Sequence, residues 1–189
     1  MAYSRDSALN VHKDYKENVM NWEYYIRSYN GGYDYTLGQY LNRYNLELDN
    51  EFNQRLANTP CDNHCRNVIQ IYSSFLFRVK PSRDFGSMSE EQSLDTFLKD
   101  ADLDGNNFNN VIKQAQNYSS IYGHCFMILD KPNLTLGTRA EELQQEVRPY
   151  ISIVTPENVL DWNFKREPNG KYVLDYLKIR EEVDKDGGT

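Results

Sequence analysis

The stretch Asn107–Leu129, NFNNVIKQAQNYSSIYGHCFMIL, decides the fold class. Phe108, Val111, Ile112, Ala115, Tyr118 and Ile121 recur at spacings of three and four, which puts them on one face of a helix. Gly123 ends that helix, because glycine adopts the backbone of a C-cap without a steric cost. Immediately afterwards Cys125-Phe126-Met127-Ile128-Leu129 is a short apolar run, which predicts a buried strand. Helical spacing dominates upstream of this switch and strand character downstream of it. Helices first and strands afterwards is an α+β order, not a βαβ alternation, and predicts N-terminal helices packed on a mostly antiparallel sheet.

Working outward, residues 1–8 read as a loose arm. Tyr15, Val19, Trp22, Ile26 and Tyr29 form one stripe of a helix over about 9–29, ended by Gly31-Gly32. A tyrosine-rich connection, Tyr33-Asp34-Tyr35, leads to a short segment near 36–44, and Leu48–Leu56 reads as a short helix or turn. Thr59 with Pro60 is a start signal for a helix over Cys61–Phe77. Its broad apolar face, Cys65, Val68, Ile69, Tyr72, Phe75 and Leu76, predicts a place at the centre of the core. A polar loop over 81–91 and a short helix over 93–99 follow. On the other side of the switch, 131–147 is a polar excursion. Tyr150–Val154 alternates and is β-branched, so it predicts a strand ended by Pro156. Val159–Arg166 and Tyr172–Glu182 are two further strands, joined at Asn169-Gly170, a strong hairpin signal. The chain thus divides into an arm and aromatic helix (1–35), a helical part (36–130) and a β-rich part (131–189). The turn-like end, Asp184 to Thr189, follows a strand without a returning partner, so the chain is expected to continue into a longer polypeptide.

Composition limits the function classes. The 189 residues carry 21 Lys+Arg against 28 Asp+Glu, a net charge of −7, which argues against general nucleic-acid binding, since that affinity comes from basic side chains on phosphates. A mean hydropathy of −0.78 and the lack of any run of about 20 apolar residues argue against a membrane span. The N-terminal residues hold no apolar signal-peptide core. Three cysteines fit a reducing compartment rather than a disulfide framework. Fifteen tyrosines and eight phenylalanines supply abundant contact surface.

Few constellations point to chemistry. Asp100-Ala101-Asp102-Leu103-Asp104-Gly105 matches the first half of a calcium loop, but Val111 stands where the bidentate Glu belongs. The plainer reading is an acidic loop at the start of the following helix. Cys61, His64 and Cys65 lie within about one helical turn, and His124-Cys125 is a second pair, together half-suggestive of zinc. The plainer reading is small buried cysteines and a solvated His64. There is no nucleophile elbow, P-loop or dinucleotide fingerprint. No catalytic residue, cofactor or metal is therefore assigned. A hydrolase would need a cleft with shifted carboxylates to be revived.

Three ordered segments carry a family likeness. The first is Leu46-Glu47-Leu48-Asp49-Asn50 with Phe52, Arg55 and Leu56, followed by the helix from Cys61 to Gln70 and its tail Phe75–Pro81. The second is Leu98–Phe108, a helix, and then Tyr122–Pro132. The third is Arg148-Pro149-Tyr150-Ile151-Ser152-Ile153-Val154-Thr155-Pro156-Glu157-Asn158-Val159-Leu160-Asp161-Trp162, with the Asn169-Gly170 hairpin behind it. The region from about Tyr40 to Val183 resembles the N-terminal part of tailed-bacteriophage portal proteins. The resemblance implies a wing-type α+β domain on the outside of a ring, a dodecamer, at the portal vertex of the virion capsid, assembled in the host cytoplasm. It implies self-association, contacts with the major capsid protein, terminase and neck or adaptor proteins, and duplex DNA that passes through the ring during packaging and ejection. The family's stem, clip and crown, which supply most of the channel lining, have no counterpart before Thr189, so duplex DNA is expected to pass through the ring rather than be bound by this segment. A closed ring needs two different complementary faces on each subunit. The aromatic helix, through Tyr15, Trp22, Tyr25, Ile26 and Tyr29, is the candidate subunit contact, set against the plainer reading of an amphipathic helix on its own core. From a different class, the alternative is a metal- or calcium-responsive interaction domain built on the Asp100 loop or the Cys/His pairs.

Overall fold

The computed structural model describes residues 10–38, 40–59, 63–132, 141 and 147–181. Among these, the helices are α1 (Lys13–Asn30), α2 (Gly32–Leu37), α3 (Asp49–Asn58), α4 (His64–Leu76), α5 (Gln92–Lys99) and α6 (Phe108–Tyr122). The strands are β1 (Phe126–Asp130), β2 (Tyr150–Val154), β3 (Val159–Arg166) and β4 (Tyr172–Ile179), with 3₁₀ turns at Gly86–Glu90 and Pro156–Asn158. The fold is α+β. The strands form two separate antiparallel pairs rather than one sheet: β1 with β2, from Phe126 opposite Val154 to Asp130 opposite Tyr150, and β3 with β4, from Val159 opposite Ile179 to Arg166 opposite Tyr172.

Local chemistry explains most boundaries. His12 Nδ1 accepts the Asp14 N–H at 3.2 Å and caps α1, and Asn107 Oδ1 accepts the Asn110 N–H at 3.0 Å and caps α6. Gly123, at φ 88°, ends α6 in the left-handed region. Pro168, Asn169 and Gly170 join β3 to β4, with Gly170 at φ 83° and Glu167 N–H donating to Lys171 O at 2.9 Å.

Four local expectations are corrected. The Tyr33–Tyr35 connection is helical, as α2. Thr59 does not start the next helix; it closes α3, its N–H and hydroxyl both reaching Arg55 O, at 2.9 and 2.6 Å. Asn63 caps α4 instead, accepting the Arg66 N–H at 2.9 Å, because its side chain is also fixed by Tyr29 O. Pro60 and Cys61 lie outside the described residues, as does most of the 131–147 excursion. β1 is not buried: Met127 and Leu129 are 43% and 68% exposed, because a two-stranded ribbon covers only one of its faces. The last correction is the largest. α4 does not sit at the centre of the core, and its apolar face points outward.

The core is two small clusters. Ala101, Val111 and Ile151 form one, with Phe97, Phe108 and Ile153 around them. Tyr15, Trp22 and Tyr122 form the other, with Val19, Ile26, Leu160 and Trp162 packed against it. α6 joins them, contributing Val111 near its start and Tyr122 at its end. The two hydroxyls of the second cluster meet one residue: Tyr15 donates to Glu157 O at 3.1 Å and Tyr122 to Glu157 Oε1 at 3.0 Å. Burial, reinforced by the Glu157 charge, pushes the Tyr122 hydroxyl well above the ordinary tyrosine value.

Two outcomes follow for stability. Val111→Ala removes buried methyls next to Ala101 and is expected to cost about 2 kcal/mol in urea unfolding. The raised Tyr122 value means that its contribution is complete below the unfolded tyrosine value of 10.0 and is lost as pH rises beyond it. Melting temperature measured from pH 8 to 11 should therefore fall more steeply for the native chain than for Tyr122→Phe.

Candidate functional site

α1 has two differently used sides. Tyr15 and Trp22 are buried in the chain's own core, and Ile26 is half-buried against it. His12 locks the entry to the helix, its N–H donating to Leu160 O at 2.9 Å and its ring stacking on Trp162 at 4.1 Å. Tyr29 is held at the other end. The Arg66 guanidinium lies 5.1 Å from its ring, and Tyr29 O and Asn30 O accept from Arg66 at 3.2 and 3.1 Å. These bonds satisfy carbonyls that a helix C-terminus leaves open, and the cation complements the helix dipole. Gly31 permits this close approach: at φ 68°, a Cβ there would stand 2.7 Å from Asn63 Nδ2. Of the five residues read as a subunit contact, only Tyr25 faces solvent, at 42% exposure. Beside it, Tyr24 meets Tyr40 edge-on at 4.7 Å and lies 6.5 Å from Tyr35, an outward tyrosine cluster.

The larger surface is on α4. Val68, Ile71, Tyr72, Phe75 and Leu76 are 50–69% exposed, while the residue that α4 buries is Ser73. The helix presents an apolar stripe to the outside and a small polar residue to its neighbour. Apolar periodicity is identical whether the stripe meets the chain's own core or another molecule, so the sequence signal found the stripe and not its side. Monomers seldom leave so continuous an apolar patch uncovered.

Sites suggested by carboxylates and cysteines resolve differently. Asp102 accepts from the Asp104 and Asn106 N–H groups and from the Asn106 amide, at 3.0, 3.1 and 2.7 Å. Burial pushes its carboxyl up, but these hydrogen bonds outweigh it and hold it below the ordinary range. Asp100 accepts from the Gly105 N–H at 3.0 Å and is paired with Arg148, which also donates to Asp100 O. With Ala101 O accepting from Ile151 N–H at 2.7 Å, the loop is a clamp that ties the start of α6 to β2. The Asp100 and Asp102 carboxylates are engaged in holding it. Cys65 and His64 are exposed on α4, whereas Cys125 is half-buried and donates to Ala115 O at 3.3 Å. His124 packs edge-on between Trp22 and Phe126, with centroids at 5.8 and 5.5 Å. Among the described residues, no three His, Cys, Asp or Glu side chains are grouped to hold a metal ion. No helix of the described residues is long and apolar enough to cross a membrane.

One feature of the Tyr40–Leu56 segment was invisible as spacing. Arg55 grips Glu47 with two hydrogen bonds of 2.7 Å, donates to Asn42 O at 2.8 Å and lies 4.4 Å from the Tyr44 ring. Glu51 closes the start of α3 by accepting the Leu48 N–H at 3.1 Å. The Arg55 hydrogen bonds lower the Glu47 carboxyl from 4.5 to about 2. No protein-family model matches the chain, and no curated protein matches it.

A lowered carboxyl lends stability above its unfolded value and loses it as pH falls through the folded one. The Arg55 Nε–H resonance should therefore keep its paired position at pH 4 and shift with a midpoint near 2. Glu47→Gln should abolish that transition.

Proposed function

We propose that this chain is a wing-type region of a tailed-phage portal protein, a structural subunit of the ring through which DNA enters and leaves the capsid. The single observation that carries the reading is the outward apolar stripe of α4, a surface suited to being covered by a neighbour. The portal resemblance of the three ordered segments and the α+β architecture support it. The exposed tyrosine cluster at Tyr24 and Tyr25 supplies a second, chemically different face, and tyrosine is enriched where proteins meet. A cyclic head-to-tail assembly requires two unlike faces of this kind. The net charge of −7 suits a body that lets duplex DNA pass without holding it. In this reading the partners are further copies of the chain in a dodecameric ring, the major capsid protein, terminase and neck proteins at the capsid vertex, and the role is not enzymatic.

The test is negative-stain electron microscopy of the complete natural gene product. Rings with a central opening that admits a duplex are the expected result, and monomers or small dimers at high concentration would overturn the reading. Ile71→Asp with Phe75→Asp should abolish ring formation while changing subunit stability by no more than about 0.5 kcal/mol, since both side chains are exposed. Persistence of rings in that variant would remove α4 as the contact.

A further inference from the structure

A cleft of about 410 Å³ opens between α1, the end of α6 and the starts of β1 and β3. Its walls are aromatic, with Trp22, Tyr25, Tyr122, Phe126 and Trp162 all facing it. Both tryptophans of the chain are among them. Asp14, Asn18 and Asn21 follow one another along the same side of α1 at helical spacing, and no lysine or arginine lines the space.

Asp14 is the acidic side chain of this cleft, which the His124 imidazole also lines. The Asp14 side chain is 62% exposed, and the ion-pair partner within reach is His12 Nδ1 at 3.7 Å. That nitrogen also accepts the Asp14 backbone N–H, at 3.2 Å. Among the described residues no other cation pairs with Asp14.

Charge and wall chemistry together select a ligand. An anion would meet the Asp14 carboxylate and a chain of net charge −7. A neutral apolar ligand would draw the carboxylate out of water without giving it a partner, which is unfavourable. An organic cation satisfies both parts, because aromatic faces carry negative quadrupole density and attract ammonium and guanidinium groups, most strongly at tryptophan. The volume lies within the range of small-ligand sites. We propose that this cleft is a binding site for an organic cation, an alkylammonium or guanidinium group held against Trp22, Tyr25 and Trp162 and balanced by Asp14.

The two tryptophans make the test direct. Tetramethylammonium chloride is titrated into the full 189-residue chain at pH 8, against sodium chloride at equal ionic strength, and tryptophan emission is followed. The expected result is a saturable change that tert-butyl alcohol, a neutral molecule of the same shape, does not produce. Asp14→Asn and Tyr25→Ala should each weaken the apparent affinity about fivefold or more. Both side chains are exposed, so circular dichroism and melting temperature should match the native chain. No saturable change up to about 50 mM, an equal response to tert-butyl alcohol, or an unaltered titration in Asp14→Asn would each overturn the proposal. Choline compared with N-acetyl-arginine amide then separates the two sources of the cation. Tighter choline binding indicates a free quaternary ammonium ligand, and tighter arginine-amide binding a protein side chain; either order supports the site.

Discussion

The structure depends on α6 being seated at both ends. Val111, near its start, is closed in by Ala101 and Ile151, and Tyr122, at its end, by Tyr15 and Trp22. Neither cluster is large enough to hold a domain alone, because the favourable energy of burial scales with apolar area removed from water. One rigid helix shared between them makes them cooperate. Polar bonds fix the seating at each end. Asp100 and Ala101 are clamped to Arg148 and Ile151 at the first, and Glu157 receives two tyrosine hydroxyls at the second.

Those clamps explain how much of the fold could be read from residues alone. α6 was legible because two local signals agree there, the apolar stripe and Gly123. The β3–β4 hairpin was legible for the same reason, through β-branched and aromatic strands around Asn169-Gly170. The start of α4 was misplaced where two cap residues competed. Asn63 prevailed through Tyr29, a residue 34 positions away that no local window includes. The division into two ribbons instead of one sheet was likewise out of reach, because strand pairing is decided by what covers each face.

The candidate surfaces follow a similar division. Period identifies a stripe, and it does not say what the stripe meets. On α1 the stripe turns inward, so Tyr15 and Trp22 serve the core, and Met20 and the flank at Tyr24 and Tyr25 remain outside. On α4 the stripe turns outward, although its sequence is the more apolar of the two. The Glu47–Arg55 grip and the aromatic cleft carried no sequence signal at all, since each joins residues through folding rather than through spacing.

The Tyr15–Glu157 bond spans 142 residues, and it has a consequence for how the protein is made. Closing a loop of that length costs roughly 4 kcal/mol in chain entropy before any constant term, so α1 gains little by waiting near its site in an unfolded chain. Its partner Glu157 on the 3₁₀ turn leaves the ribosome 142 residues after Tyr15, and β3 follows it. At about 10 residues per second, Tyr15 and Trp22 are presented to the cell for on the order of ten seconds before Glu157 and Trp162 exist to cover them. During synthesis this helix is therefore a sticky aromatic segment, and rapid capture by a chaperone, or by a nascent chain on the adjacent ribosome, competes with correct folding over that interval.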